Sequence, residues 1–172
     1  MIKKKNKNKA IFLDRDGTLI YSKKKSKFKI RPPYEKKELK FYKDIKYINK
    51  FKKKYIFIIV TNQPDVKRGF LKEEFNSYIN TELKKKIPYK KIYMCFQKNS
   101  NCYKPKTLMV NQAIKKFNIN TNESFIIGDT WRDIELGNRS NITTILVDRK
   151  YPKNLTKIKK TKPEFIIQSF KE

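Results

Sequence analysis

The chain has 172 residues, with 44 Lys and Arg against 16 Asp and Glu, a formal net charge of +28 and no histidine. That length suits one domain with a core of its own, and no run of ~18 apolar residues is present, so no membrane span is expected. The charge favours anionic partners, yet the lysines are scattered instead of forming one arginine-rich stripe, so they read as solvated surface that steers anions in general.

In chain order, Ala10-Ile11-Phe12-Leu13 reads as a short buried strand. It runs into Asp14-Arg15-Asp16-Gly17-Thr18, where two carboxylates lie two residues apart and a glycine turns the backbone. That arrangement suits a carboxylate nucleophile with an acid/base partner, sharing a divalent cation. Residues 17–43 show no clear periodicity and contain Arg31-Pro32-Pro33; a stretch of this length is expected to be a lid or binding loop. Residues 44–54 carry Ile45, Ile48 and Phe51 at helical spacing, and residues 55–60 are β-branched and continuous, as in a strand buried on both faces. Residues 72–86 form a helix with Phe75, Ile79 and Leu83 on one stripe. Residues 92–96 form a third strand. Residues 107–117 form a helix turning Leu108, Val110, Ala113, Ile114 and Phe117 inward. Residues 124–127 and 144–147 are the fourth and fifth strands, with a short helix at about 132–139 between them, and residues 165–167 are a candidate edge strand. The alternation predicts a doubly wound parallel α/β sheet in a single domain spanning 1–172, with a core at about 9–150 and a basic tail over 1–8. The tail leads only into four apolar residues, too few for a signal peptide, so a cytoplasmic protein is expected. Two cysteines make no disulfide framework and fit a reducing compartment.

Acid and glycine are placed sparingly. Four of the seven aspartates (Asp14, Asp16, Asp129, Asp133) fall in two short segments, and Gly17 and Gly128 adjoin them. Four signals then fall at or after strand ends: Asp14 and Asp16, Thr61-Asn62-Gln63, Lys104-Pro105, and Gly128-Asp129-Thr130-Trp131-Arg132-Asp133. In a doubly wound sheet they converge on one edge, where ligands bind.

This order, over about residues 10–148, resembles the haloacid dehalogenase (HAD) superfamily of phosphotransferases, with its Asp-x-Asp, Ser/Thr, Lys and Gly-Asp-x-x-x-Asp motifs. The resemblance implies a Rossmann-like sheet of order 3-2-1-4-5. It implies a phosphomonoesterase in which Asp14 attacks phosphorus to form an aspartyl phosphate and Asp16 serves as acid and base. Thr61 would donate to a phosphate oxygen and Lys104 would face the developing charge. A Mg²⁺ would be held by Asp14, the Asp16 backbone carbonyl and Asp129, with Asp133 orienting a metal-bound water or Lys104 from behind.

The segments around Thr61, Lys104 and Asp129 look most like the small, cap-poor branch, subfamily IIIA. That branch includes D-glycero-D-manno-heptose 1,7-bisphosphate 7-phosphatases and the histidinol-phosphate phosphatases, with polynucleotide 3′-phosphatases more distant. No separate cap domain is expected, and loops at about 17–35, 62–70 and 97–106 would set specificity. Asn62, Arg68, Arg31 and Arg132 are the candidate substrate contacts.

Relatives in this branch commonly hold zinc in a loop of three cysteines and a histidine. Here only Cys95 and Cys102 remain, Gln97 stands where the histidine would be and Ser100 where the third cysteine would be. Two ligands fall short of the four a structural zinc needs, so zinc is not expected and the thiols read as remnants or small packed residues. Tyr103 replaces the arginine before the lysine, which removes a bidentate phosphate contact. The expected protein is a monomeric Mg²⁺-dependent phosphatase acting on a small phosphorylated sugar, with histidinol phosphate or a polynucleotide 3′-phosphate as alternatives. A rival of another class is a non-catalytic basic binding protein; nucleic acid is not the favoured partner.

Overall fold

In a computed structural model, residues 7–26, 29–149 and 155–172 are described. The first six residues of the expected basic tail lie outside them. The chain runs through β1 (Ala10–Leu13), a hairpin of β2 (Lys23–Ser26) and β3 (Lys29–Arg31), β4 (Ile56–Asn62), α1 (Pro64–Lys67), α2 (Glu73–Lys86), β5 (Lys91–Cys95), α3 (Leu108–Phe117), β6 (Phe125–Gly128), α4 (Trp131–Arg139), β7 (Thr143–Val147), α5 (Leu155–Thr161) and β8 (Phe165–Ile167). Strands β5-β4-β1-β6-β7-β8 form one sheet, and every pairing in it is parallel. Counted along the chain, the five predicted strands stand in the order 3-2-1-4-5, and β8 adds a sixth at the edge.

The central position of β1 follows from its composition. All four of its residues are buried, and alternate side chains serve opposite faces. Ile11 and Leu13 join a core layer with Ile45, Ile48, Ile79 and Leu83. Ala10 and Phe12 join the other, with Val60, Val110, Ala113 and Leu136. Each large apolar side chain so buried contributes roughly 1.5–3 kcal/mol.

Four differences from the expected elements have physical reasons. Residues 43–51 form a 3-10 helix instead of an α-helix, and Ile45 and Ile48 are its buried residues. Their spacing of three matches the 3-10 period as well as the α period. In α3, Met109 is buried while Leu108 is 40% exposed, so the inward stripe begins one residue later than predicted. The stretch 17–43 is not an open loop. It carries the β2–β3 hairpin and a 3-10 turn over Lys36–Glu38, clamped by a bidentate pair from Arg31 to Glu38 at 2.7 and 2.6 Å. The folded region also exceeds the expected limits. Asn8 exchanges backbone hydrogen bonds with Asn118 and Asn120, β8 pairs with β7, and Phe170 lies in the core. Among the described residues no helix is long and apolar enough to cross a membrane.

Candidate active site

Parallel strands put the carboxyl ends of β1, β4 and β6 on one edge of the sheet, and the local sequence shapes that edge. The Asp14 N–H donates to the Ile127 carbonyl at 3.0 Å, which locks β1 to β6 one residue past the strand. Gly17 adopts φ +93°, a left-handed backbone open to glycine, and its N–H reaches the Ile20 carbonyl at 2.7 Å. The turn thereby presents Asp14 and Asp16 side by side. At the end of β6, a Cβ on Gly128 would lie 2.2 Å from Asp133 Cβ, so glycine is required for α4 to start there. Asp133 closes that helix start in a capping box: its Oδ2 accepts from the Thr130 N–H at 3.1 Å and the Thr130 hydroxyl at 2.6 Å.

These ends enclose a cavity of about 130 Å³. Asp14, Asp16, Thr61, Asn62, Lys104 and Asp133 wall it, together with Tyr103, Thr130 and Arg132. Lys104 is buried, and its ammonium uses all three donors: Asp14 Oδ1 at 2.5 Å, Asp133 Oδ1 at 2.6 Å and the Val60 carbonyl at 3.0 Å. The Asn62 carboxamide oxygen accepts the Lys104 backbone N–H at 3.0 Å, fixing the loop that delivers the lysine. Burial pushes the Asp14 carboxyl up to about 6, with Lys104 opposing that rise and Asp133 adding to it. Burial pulls Lys104 down, but Asp133 and Asp14 outweigh it and the ammonium is held above its ordinary value.

The donor set fits a hard divalent cation. One carboxylate oxygen each from Asp14, Asp129 and Asp133 lies within 4.8 Å of the others, all three residues are buried, and the Lys104 ammonium pairs with two of them, Asp14 and Asp133. Both Asp133 oxygens are already engaged, by Lys104 and by Thr130, so Asp14 and Asp129 are the carboxylates best placed for a cation. The Asp16 carboxylate is turned to Arg15 and Gln63 through Oδ2 and is not part of that cluster, so its backbone carbonyl is the ligand it could offer.

Of the four candidate substrate contacts, Asn62 and Arg132 lie on the cavity. Arg31 is spent on Glu38 and the Pro32 carbonyl, and Arg68 pairs with Asp65 at 3.2 Å; neither lines the cavity. Three residues at the site escaped the sequence reading. The Thr18 hydroxyl donates to Asp129 Oδ1 at 3.0 Å. Gln63 Nε2 lies 2.5 Å from Asp16 Oδ2 and 2.8 Å from Thr61 Oγ1. Arg15, fully buried, binds Asp16, Asn76 and Asn80. The Asp-Gly-Thr and Asn-Gln adjacency to motif residues was the only signal for the first two.

The loop before Lys104 requires a correction. Cys95, the last residue of β5, and Cys102 are joined by a disulfide, with Cα atoms 5.5 Å apart; they are not two free packed thiols. A separation of 7 residues lets the loop fold back far enough for that distance. Ser100 Oγ sits 3.1 and 2.9 Å from the two sulfurs and donates to the Gln97 carbonyl at 2.7 Å. Paired sulfurs are not thiolate ligands for zinc.

A family model described as HAD-hydrolase-like matches residues 101–172. A D-glycero-beta-D-manno-heptose-1,7-bisphosphate 7-phosphatase of Helicobacter pylori is 32% identical over 153 residues, covering 83% of this chain and 84% of its own length. The chain belongs to the HAD-like hydrolases. It is an enzyme of their phosphatase branch, a phosphoric monoester hydrolase. A histidine biosynthesis bifunctional protein of Buchnera aphidicola is 31% identical, covering 84% of this chain and 42% of that protein. Among solved structures, a D,D-heptose 1,7-bisphosphate phosphatase from B. bronchiseptica, complexed with magnesium and phosphate, superposes with a TM-score of 0.77 at 18% identity, covering 94% of this chain and 93% of its own. At that identity the likeness speaks for the fold.

Proposed function

We propose that this phosphatase removes a phosphoryl group from a small sugar phosphate through an aspartyl-phosphate, with D-glycero-D-manno-heptose 1,7-bisphosphate the favoured substrate. The observation that carries the reading is the buried Asp14–Lys104–Asp133 set on a cavity of about 130 Å³, sized for a phosphoryl group. The Asp14 carboxylate attacks phosphorus as the ester P–O bond breaks, and Asp16 gives the departing oxygen a proton. Water then attacks the same phosphorus, Asp16 takes its proton, and Asp14 returns as a carboxylate with inorganic phosphate released. The Thr61 hydroxyl and the Lys104 ammonium face the charge that builds on the phosphoryl oxygens. Asp14, Asp129 and the Asp16 carbonyl would hold Mg²⁺, whose charge offsets repulsion between the anionic nucleophile and the phosphate. Asn62 and Arg132 are the contacts proposed for the sugar side. The enzyme works as a monomer in this reading.

A substrate screen tests it. Heptose bisphosphate should be turned over faster than histidinol phosphate and 3′-phosphorylated oligonucleotides, and chelation of Mg²⁺ should stop turnover. Asp14→Asn should lower kcat by about 10³-fold or more with the fold kept, as expected for loss of a covalent nucleophile. Substantial residual turnover in that variant removes the nucleophile assignment. Full activity in excess chelator removes the metal.

A further inference from the structure

The carboxylate of Asp16 is gripped by one oxygen only. Its Oδ2 accepts from Arg15 Nε at 3.0 Å and from Gln63 Nε2 at 2.5 Å, with Arg15 Nη2 also 3.0 Å away. Its Oδ1 is buried and has no hydrogen-bond partner among the described residues. Asp16 lines the catalytic cavity, whereas Arg15 and Gln63 do not.

Both donors are themselves fixed. The backbone N–H of Gln63 binds the Cys95 carbonyl at 2.7 Å, and its side-chain nitrogen also reaches Thr61 Oγ1. Arg15 has no exposed surface at all, and its Nη1 is held by Asn76 Oδ1 at 2.7 Å and Asn80 Oδ1 at 2.8 Å. Those two asparagines are buried on α2, one turn apart beside Ile79 and Leu83, and each also touches Met94 Sδ on β5. Burying a guanidinium costs several kcal/mol unless it is paired and its donors are satisfied. The fold offsets part of that cost with two neutral amides and a single carboxylate, Asp16, while Nη2 has the ion-pair contact with Asp16 but no hydrogen bond. The amides hold the cation without competing for its charge.

We propose that Arg15 and Gln63 are positioning residues that clamp Asp16 through Oδ2 and so hold its carboxyl group in one orientation for proton transfer. The proposal rests on the aspartyl-phosphate reading above. In the first half-reaction the Asp16 O–H bond breaks and its proton goes to the ester oxygen, as that oxygen leaves phosphorus and Asp14 bonds to the phosphorus. In the second, the Asp16 carboxylate takes a proton from the attacking water as the Asp14–phosphorus bond breaks. Asp16 ends as it began, and no further reactant is needed. A carboxylate free to rotate would present either oxygen at variable distance, and small misplacements of a proton donor are costly in rate.

The test exploits the leaving group. An alkyl oxygen needs a proton to depart, whereas p-nitrophenolate departs without one. The parameter is kcat/KM, which reports only the steps up to phosphoenzyme formation. Gln63→Met keeps the length of the side chain and removes the donor. Its kcat/KM should fall about 10- to 100-fold on the sugar phosphate that the wild type turns over fastest, and by no more than about threefold on p-nitrophenyl phosphate, the scale expected for a misplaced general acid. Arg15→Lys keeps the charge and loses the two-nitrogen contact; it should show the same split and serves as the second variant should Gln63→Met not fold. Equal losses on both substrates, or no loss on either, overturn the clamp. A wild type that hydrolyses neither substrate, or an Asp14→Asn variant that stays active, overturns the aspartyl-phosphate reading instead.

Discussion

Asp14 sits among carboxylates with one ammonium for company, and that setting makes its protonation a matter of stability as well as catalysis. Burial is the main reason its pKa rises to about 6, and Lys104 only partly offsets it. A carboxyl whose folded pKa lies above its unfolded value of ~3.9 stabilises the fold below that value, and the contribution is lost as pH climbs through the folded pKa. Metal-free protein should therefore lose on the order of 2 kcal/mol from this group alone between pH 4 and pH 7. Other groups titrate over the same range, so the comparison with Asp14→Asn isolates it. The melting temperature of the variant relative to wild type should rise between pH 4 and pH 7.5, and Mg²⁺ added at pH 7.5 should narrow the gap by stabilising the wild type. A gap independent of pH would mean that Lys104 fully compensates the burial. The same residue shows why some of the site was legible and some was not. Asp14, Asp16 and Asp129 are rare acids in a basic chain and stand at strand ends, so composition and position both point to them. Arg15 is one of 44 Lys and Arg, and only its burial against Asn76 and Asn80 sets it apart. Arg31 and Arg68 were both candidates for substrate contact and instead hold Glu38 and Asp65, because sequence carries no record of which carboxylate lies near.

The strands and most of the helices could be placed within a residue or two because their apolar periods are unbroken; the connections could not. Ile45, Ile48 and Phe51 are spaced by three, which satisfies either helix type, and the structure resolves the choice as 3-10. The β2–β3 hairpin is rich in lysine and carries little apolar signal, and the turn after it is held by the Arg31–Glu38 clamp and by the Tyr34 hydroxyl reaching Asp65 at 2.8 Å. The loop from β5 to Lys104 illustrates the same limit. Two cysteines counted along a chain give no distance, and only the folded loop brings their Cα atoms to 5.5 Å. This element carries its own prediction. Protein purified in air should show no thiol reacting with a chromogenic disulfide even when denatured, and metal analysis should find no stoichiometric zinc. Cys102→Ser should lower stability by about 2 kcal/mol in urea, the entropy of closing so short a loop. Lys104 lies two residues beyond Cys102, so the variant should lose activity as well as stability. Two titratable thiols together with an unchanged urea midpoint would show that the staple does not form.

At the scale of the whole molecule the charge is the dominant physical fact. A formal net charge of +28 repels itself, so added salt should raise the melting temperature, the reverse of a protein held by exposed ion pairs. Four of the 16 acids lie together where β1 and β6 end, so an anionic substrate meets attraction on approach and a local negative site only at contact. Screening over a Debye length of ~10 Å at 0.1 M salt weakens the approach. For a small sugar bisphosphate, raising salt from 20 to 200 mM should reduce kcat/KM by a few-fold, roughly the size of a steering effect on a divalent ion, with kcat unchanged. A polynucleotide 3′-phosphate would behave differently. Each phosphate bound along the chain releases counterions, so its kcat/KM should fall as a power of salt, by roughly 10³-fold or more if six or more phosphates are held. The two slopes separate a basic surface that merely gathers anions from one that grips a polymer. A shallow slope with the sugar as the better substrate at every salt fits the scattered lysines. A steep slope, with the oligonucleotide the better substrate at 20 mM, would move the substrate assignment to nucleic acid while leaving Asp14, Asp16 and Lys104 in their roles.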